Sequence, residues 1–440
     1  MKKNDRSVWM KVAALAICLC GMTLYVVVGA QGQAAPRYQY DPGWPKQMPN
    51  KWKIGGVTGL AVAPNDDTVW VYDRPNDLTN LELESELGVS DCCSRPPSMI
   101  HIGKDGTVLG SFDAPQGHGM DIDSKGFAYL GQNTVRKYDT KTGKLVGEIP
   151  HSPETENGGK FGPAEIPKRT PGVGGQGPVA GFLPPPPGAA GRGRGRGGNA
   201  DPAAQAAARA AFRKKYPPTT PMIVGGIEEI RLDEPANEVY VADNYLGGRV
   251  MVFDMNTFAF KRGWGAYGHK LSEISTNEAD REFAAGKPPK EFRGHLTLNI
   301  SNDGFVYAAD RAAERIDVTT KDGKFVKSFV MTAPGTKRND SDRGAAGGVA
   351  FSSDKAQQYL YICDIKNNTI WFLNRNDGKI VGRLGSMGEN GGEFFGLHMI
   401  ATDSRGYIYT GEVFAGQRVQ RFVPADSPRG KLLGQLASLQ

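Results

Sequence analysis

Asn368-Thr-Ile-Trp-Phe-Leu, followed by Asp377-Gly-Lys-Ile-Val, reads as an apolar strand, a polar turn and a return strand joined by an Asp-Gly hairpin. The phrase recurs as Asn133-Thr-Val-Arg-Lys-Tyr-Asp with Thr142-Gly-Lys-Leu-Val, and as Gly248-Arg-Val-Met-Val-Phe-Asp. It returns in Glu314-Arg-Ile-Asp-Val with Asp322-Gly-Lys-Phe-Val, and in Gln417-Arg-Val-Gln-Arg-Phe with Gly430-Lys-Leu-Leu. Ahead of each stands a second hairpin ending in an aromatic-rich run, such as Val239-Tyr-Val-Ala-Asp, Val306-Tyr-Ala-Ala-Asp or Tyr359-Leu-Tyr-Ile-Cys-Asp. A degenerate copy covers Val57–Arg74 and Met99–Phe112. Four-stranded units opening near residues 57, 117, 227, 294, 347 and 397 predict an all-β, six-bladed β-propeller. Twisted sheets packed face to face round an axis leave few exposed edges.

Composition agrees with this reading. The chain's 58 Gly and 29 Pro are more turn-formers than a helical protein tolerates. A 39% hydrophobic content is enough for a large core and excludes wholesale disorder. The net charge of +6 first suggests a polyanion binder, but it is unevenly distributed. Residues 1–30 carry Lys2, Lys3, Arg6 and Lys11 against Asp5, a net +3. Residues 151–222 carry ten Lys/Arg against Glu154, Glu156, Glu165 and Asp201, a net +6, which leaves the body at −3. No nucleic-acid partner is expected for such a body.

The first basic appendage, residues 1–30, reads as a signal peptide: Met1–Lys11 is basic, Val12–Val28 is apolar, and Val28-Gly29-Ala30 has the spacing a signal peptidase accepts. Cleavage after Ala30 or Ala34 implies a periplasmic or secreted protein; an uncleaved anchor helix is the rival, and only that would bring a membrane contact. Residues 31–56 form a lead-in, 57–150 blades one and two, 151–222 an insertion, and 223–440 blades three to six. The insertion, with Pro184-Pro-Pro-Pro and the Arg-Gly alternation Arg192–Gly197, is of low complexity and expected to be disordered. Within it, Asp201 as N-cap and Pro202 at the first position predict one short surface helix. Three cysteines follow the leader; either of Cys92 and Cys93 could pair with Cys363, and a structural role is assigned by default.

Three of six histidines stand at the start of an innermost strand, in alternate blades: His118 in blade two, His295 in blade four and His398 in blade six. The corresponding places in blades one, three and five are approximately Gly59, Glu228 and Gly347. Equivalent positions in alternate blades converge on the channel mouth, where three imidazoles form the base of a tetrahedral zinc site with its fourth position open. One irregularity stands out: His118 and His398 precede their hairpin glycines, Gly126 and Gly406, by eight residues, and His295 precedes Gly304 by nine. A bulge would absorb the extra residue. His101, His151 and His269 lack the register and read as surface or loop residues.

The repeats resemble the NHL class of six-bladed propellers, and the three His strands resemble the catalytic core of peptidyl-α-hydroxyglycine α-amidating lyase. That resemblance implies Zn2+ held by His118, His295 and His398, and a small-molecule or peptide C-terminal substrate cleaved to an amide and glyoxylate. It places the family's active-site tyrosine on Tyr245, within Val241-Ala-Asp-Asn-Tyr-Leu-Gly-Gly-Arg-Val. Its two arginines fall on Arg311, in Ala309-Asp-Arg, and on Arg74, in Val71-Tyr-Asp-Arg-Pro. The chain departs from the family in two places. Met399 replaces the Asp that serves the family's Ca2+ site, which weighs against calcium, and Leu246 replaces a disulfide cysteine. No copper monooxygenase domain accompanies the propeller. The alternatives are a non-catalytic propeller that binds a protein or glycan partner, and a calcium-dependent sugar lactonase, whose sites use carboxylates and Asn where this channel offers His.

Overall fold

The repeat unit recurs six times in the computed structural model, which describes residues 35–153, 202–244, 246–277, 280, 289–331 and 344–438. A short strand, β1 (Tyr38–Tyr40), precedes the first blade. Blade one is β2 (Gly56–Val62), β3 (Val69–Arg74), β4 (Met99–Ile102) and β5 (Val108–Phe112). Blade two is β6 (Met120–Ile122), β7 (Phe127–Gly131), β8 (Val135–Asp139) and β9 (Leu145–Glu148). Blade three is β10 (Ile227–Asp233), β11 (Glu238–Asp243), β12 (Arg249–Asp254) and β13 (Phe260–Trp264). Blade four is β14 (Leu296–Ile300), β15 (Phe305–Asp310), β16 (Arg315–Thr320) and β17 (Phe325–Val330). Blade five is β18 (Val349–Phe351), β19 (Tyr359–Asp364), β20 (Thr369–Asn374) and β21 (Ile380–Leu384). Blade six takes β22 (Leu397–Thr402), β23 (Ile408–Glu412) and β24 (Val419–Pro424). All strand pairs are antiparallel, and the first strands touch in a ring, from β2 through β6, β10, β14 and β18 to β22 and back.

The core lies between the blades, in six apolar clusters that each join two neighbours; Met251 and Phe253 of blade three meet Tyr129 and Val135 of blade two in one of them. This explains the sequence pattern strand by strand. Second strands face a neighbour on both sides and are buried along all or nearly all of their length, β19 completely. Outer strands such as β21 and β5 alternate, because one face meets solvent. Among the described residues no helix is long and apolar enough to cross a membrane.

Three features depart from the sequence reading. The last phrase does not supply a strand from Gly430-Lys-Leu-Leu: these residues lie in helix α2 (Pro428–Ala437), whose N-cap Ser427 accepts from the Gly430 N–H at 3.0 Å. The fourth strand of blade six is instead β1, paired with β24 through Tyr38↔Pro424, Gln39↔Val423 and Tyr40↔Phe422, so the ring closes with strands from opposite chain ends. The second concerns the insertion. Its predicted helix, α1 (Pro202–Lys215), is docked by a buried Arg213–Glu291 ion pair at 2.6 Å, so the C-terminal part of residues 151–222 is ordered. Residues 154–201, including the Arg-Gly tract, lie outside the described residues, as do residues 1–34 of the leader. Third, Cys92 and Cys93 are bonded to each other, and Cys363 is a free thiol buried within β19 of blade five. Pairing with Cys363 is not made because Cys92 and Cys93 stand in the loop between β3 and β4 of blade one.

Candidate functional site

The start of each innermost strand decides what reaches the channel mouth. In blade six, Leu397 pairs with Glu412 and Met399 with Gly411, leaving His398 as the extra residue of a bulge. Blade two repeats this: the Gly131 carbonyl accepts from the His118 N–H (2.7 Å), and its N–H donates to the Gly119 carbonyl (2.9 Å), so two residues face one. In blade three the register shifts between Ile227↔Asp243 and Ile230↔Val241, and Glu228 takes the bulge position. Blade four has no bulge between its first two strands. Its pairing is regular from Leu296↔Asp310 onward, and His295 lies one step outside, its carbonyl facing the Arg311 N–H. The bulges thus belong to His118 and His398, not to His295 as the spacing suggested. His295 is held in a left-handed backbone conformation, φ +54°, uncommon for a residue with a side chain.

Each His strand is anchored by the odd-numbered blade before it. The Asn368 side-chain oxygen, just beyond blade five's second strand, accepts from the Gly396 (2.6 Å) and Leu397 (3.2 Å) N–H groups. Asn244 does the same from blade three: in the amide orientation that satisfies its neighbours, its oxygen accepts from His295 (2.6 Å) and Leu296 (3.2 Å). From blade one, Thr58 Oγ1 (2.8 Å) and Arg74 Nε (3.1 Å) both donate to the Gly117 carbonyl beside His118. These contacts lock strand starts that regular pairing leaves loose.

The side chains converge. His118 Nε2 and His398 Nε2 are 2.6 Å apart. His118 Nδ1 faces the Glu228 carbonyl (2.7 Å) and the Glu228 carboxylate (3.3 Å), and His295 Nδ1 lies 2.7 Å from Glu228 Oε1. With acceptors on its Nδ1 side, His118 carries its proton there and accepts from His398 through Nε2. Burial pushes the His118 imidazole down to about 4, with the nearby Arg74 charge assisting and Glu228 opposing. Burial, then His118 and Arg311, hold His398 well below the ordinary histidine range. Burial alone would raise Glu228, but His118 and His295 more than offset it and hold the carboxyl well below its usual range. His118 and His398 therefore rest as neutral imidazoles beside the Glu228 carboxylate.

His118, with Nδ1 engaged by Glu228 and Nε2 directed at His398, has the arrangement that a zinc-binding histidine takes. Two such nitrogens on one tetrahedral zinc stand roughly 3.3 Å apart, so the hydrogen-bonded His118–His398 pair must open by about 0.7 Å to share an ion. As arranged, no three His, Cys, Asp or Glu side chains among the described residues are spaced to hold a metal ion. The residue types suit zinc; His118 and His398 must separate, and His398 must release its proton from Nε2, before the two can share an ion.

Arg74 and Arg311 flank the cluster, the first against Gly117 and within electrostatic reach of His118, the second opposite His295 and within reach of His398. Tyr245 lies outside the described residues, between Asn244 and Leu246. The other three histidines are elsewhere. His101, in β4, stacks on Trp70 of β3, His151 is near Asn133, and His269 faces Glu273. Met399, at the place of the family's calcium aspartate, belongs to the apolar cluster of Val57, Leu60 and Tyr409. The sequence reading placed Glu228 in register without giving it a role; its position opposite the His strands was the available signal. No family model matches the chain, and no curated protein matches it. Among solved structures, a structural-genomics protein of unknown function from Bacteroides thetaiotaomicron VPI-5482 is similar at 14% identity and a TM-score of 0.46, over 88% of this chain and 76% of that one. A virginiamycin B lyase from Staphylococcus aureus is similar at 11% identity and a TM-score of 0.41, over 90% of each chain. A catalytically inactive variant of that lyase, solved with quinupristin, is similar at 11% identity and a TM-score of 0.40, over 89% of this chain and 90% of that one. At these scores the likenesses carry no argument about the site.

Proposed function

We propose that this protein is an exported, zinc-dependent lyase-like enzyme that cleaves a peptidyl-α-hydroxyglycine, or a related α-hydroxylated carboxylate, at the channel mouth. The observation that carries the reading is the meeting of His118 and His398 through Nε2 at 2.6 Å, with His295 joined to them through Glu228. His118, His295 and His398 are the residues to hold the ion, and the order of charge, apolar run and small residues in 1–30 supports export. When bound, zinc supplies Lewis acidity toward the substrate hydroxyl. Arg74 and Arg311 bring two cations to one mouth and suit a carboxylate, which a guanidinium can grip bidentately. Tyr245 is assigned by the family resemblance as the acceptor of the hydroxyl proton. In the reaction the carbon–nitrogen bond breaks, the departing amide nitrogen takes a proton, and the hydroxyl-bearing carbon leaves as an aldehyde. The burial of His398 and the half-burial of His118 limit water at the reacting centre.

Metal analysis of the purified protein tests this directly. Zinc near one equivalent per chain is expected in the wild type, with loss of most of it in His118→Ala, His295→Ala and His398→Ala. A zinc-free wild type, or three variants that all keep the metal, overturns the metal reading and leaves a propeller that binds a protein or glycan partner. Bound zinc without glyoxylate release from an α-hydroxyglycine peptide overturns the substrate while sparing the metal.

A further inference from the structure

Glu228 occupies in blade three the bulge position that His118 and His398 occupy in blades two and six. Its side chain is 1% exposed. It contacts two imidazoles, both on the Nδ1 side: Oε1 at 2.7 Å from His295, Oε2 at 3.3 Å from His118, with its main-chain carbonyl 2.7 Å from the same His118 nitrogen. An acceptor at Nδ1 fixes the N–H there, turns the ring, and leaves the Nε2 lone pair directed inward.

We propose that Glu228 is a positioning residue whose carboxylate sets the tautomer and orientation of His295 and, together with its main-chain carbonyl, orients His118, making the site a unit of four channel side chains. The proposal rests on the zinc reading above. It also accounts for the offset of His295. Lying outside the register of the other two, that ring cannot be aimed by strand geometry alone, and a carboxylate one blade away spans the difference. The main-chain carbonyl gives His118 a second restraint that the contacts of His295 with Glu228 do not include. The carboxylate is the Glu228 group that His295 Nδ1 meets, so its loss is read at that ring.

The experiment uses the full-length protein with Glu228→Ala and the near-isosteric Glu228→Gln, the second guarding against a folding failure in the first. Zinc affinity is measured by competition with a chromophoric chelator, and ring tautomers by nitrogen-15 NMR of labelled histidines in the metal-free protein. We expect zinc affinity to fall roughly 10- to 100-fold in Glu228→Ala, with unchanged stoichiometry, as for other carboxylates behind metal-binding histidines. The His295 ring should lose its preference for N–H at Nδ1 while His118 keeps it. Affinity within twofold of wild type in both variants overturns the positioning role and leaves the zinc reading intact. If the wild type binds no zinc, the zinc reading has failed separately. The NMR result then decides for Glu228, and an unchanged His295 tautomer overturns it.

Discussion

At Gly119 the backbone turns through φ +78°, and a Cβ there would meet the Glu228 carbonyl oxygen and the Glu229 Cα at 2.9 Å each. Both are backbone atoms of the neighbouring blade, so neither can rotate away as a flexible side-chain end could. The close approach is what allows the bulges of blades two and three to bring His118 and Glu228 together. Gly119→Ala should combine a left-handed backbone cost of about 1–2 kcal/mol with displacement of the facing strand. Denaturant unfolding at neutral pH is expected to show a loss of about 2 kcal/mol or more; a change under about 0.5 kcal/mol would mean that the blades shift freely at this point. At this scale the sequence was only partly readable. His118 and His398 declared themselves by spacing from their hairpin glycines, whereas Glu228 acquires its meaning from two imidazoles in other blades.

Among the elements, helix α1 is tied to the blades through a buried charge pair. Arg213 donates to both Glu291 carboxylate oxygens, at 3.2 and 2.6 Å, and to the Ser275 carbonyl at 2.8 Å, with the pair's side chains 1% and 4% exposed. Removing one partner of such a pair leaves the other charge desolvated, at a cost of about 3–5 kcal/mol. For a helix in an insertion, that cost is met by local release rather than by global unfolding. The neck of the insertion is held independently, by paired main-chain bonds between Ser152 and Ile223 and between Ile223 and Pro150. Arg213→Ala is therefore expected to accelerate tryptic cleavage near Lys214 and Lys215 by an order of magnitude or more, while the main melting transition moves by only a few degrees. Unchanged cleavage would show that apolar contacts, not the ion pair, hold α1. The composition of the insertion foretold a helix start at Pro202 but not its docking, since Glu291 is far along the chain.

For the whole molecule, the critical event is closure of the ring, and Asp41 sits at the seam. Fully buried, it accepts from Arg421 (2.7 and 3.2 Å), from Arg429 (2.5 and 3.2 Å) and from the Gly43 N–H (3.1 Å). Burial alone would raise its carboxyl, but the two guanidinium groups overcome that and hold it below the usual carboxylate range. A depressed folded-state value means that the contribution is present above the ordinary carboxylate range and is lost as pH falls through the folded value. The buried Arg421 pair should dominate, the partly exposed Arg429 adding less. Asp41→Asn should cost about 3–5 kcal/mol at pH 7, and the gap from wild type should narrow as the pH approaches 3. Urea titrations of both proteins across that range measure it; a gap independent of pH would exclude the carboxylate as the lock.

The recurring strand–turn–strand phrase determined the six blades, because short-range turn chemistry and alternation act within a few residues of each other and repeat. The same periodicity drew attention to His118 and His398, whose bulges keep a common distance from the next turn. Tertiary structure alone decided the closure by β1, the helical end of the last repeat and the role of Glu228. Each of these depends on a partner distant in the chain, or on a fourth strand position already filled by another segment. Local pattern carries no record of such competition, whose outcome is set by which groups are neighbours when the ring closes.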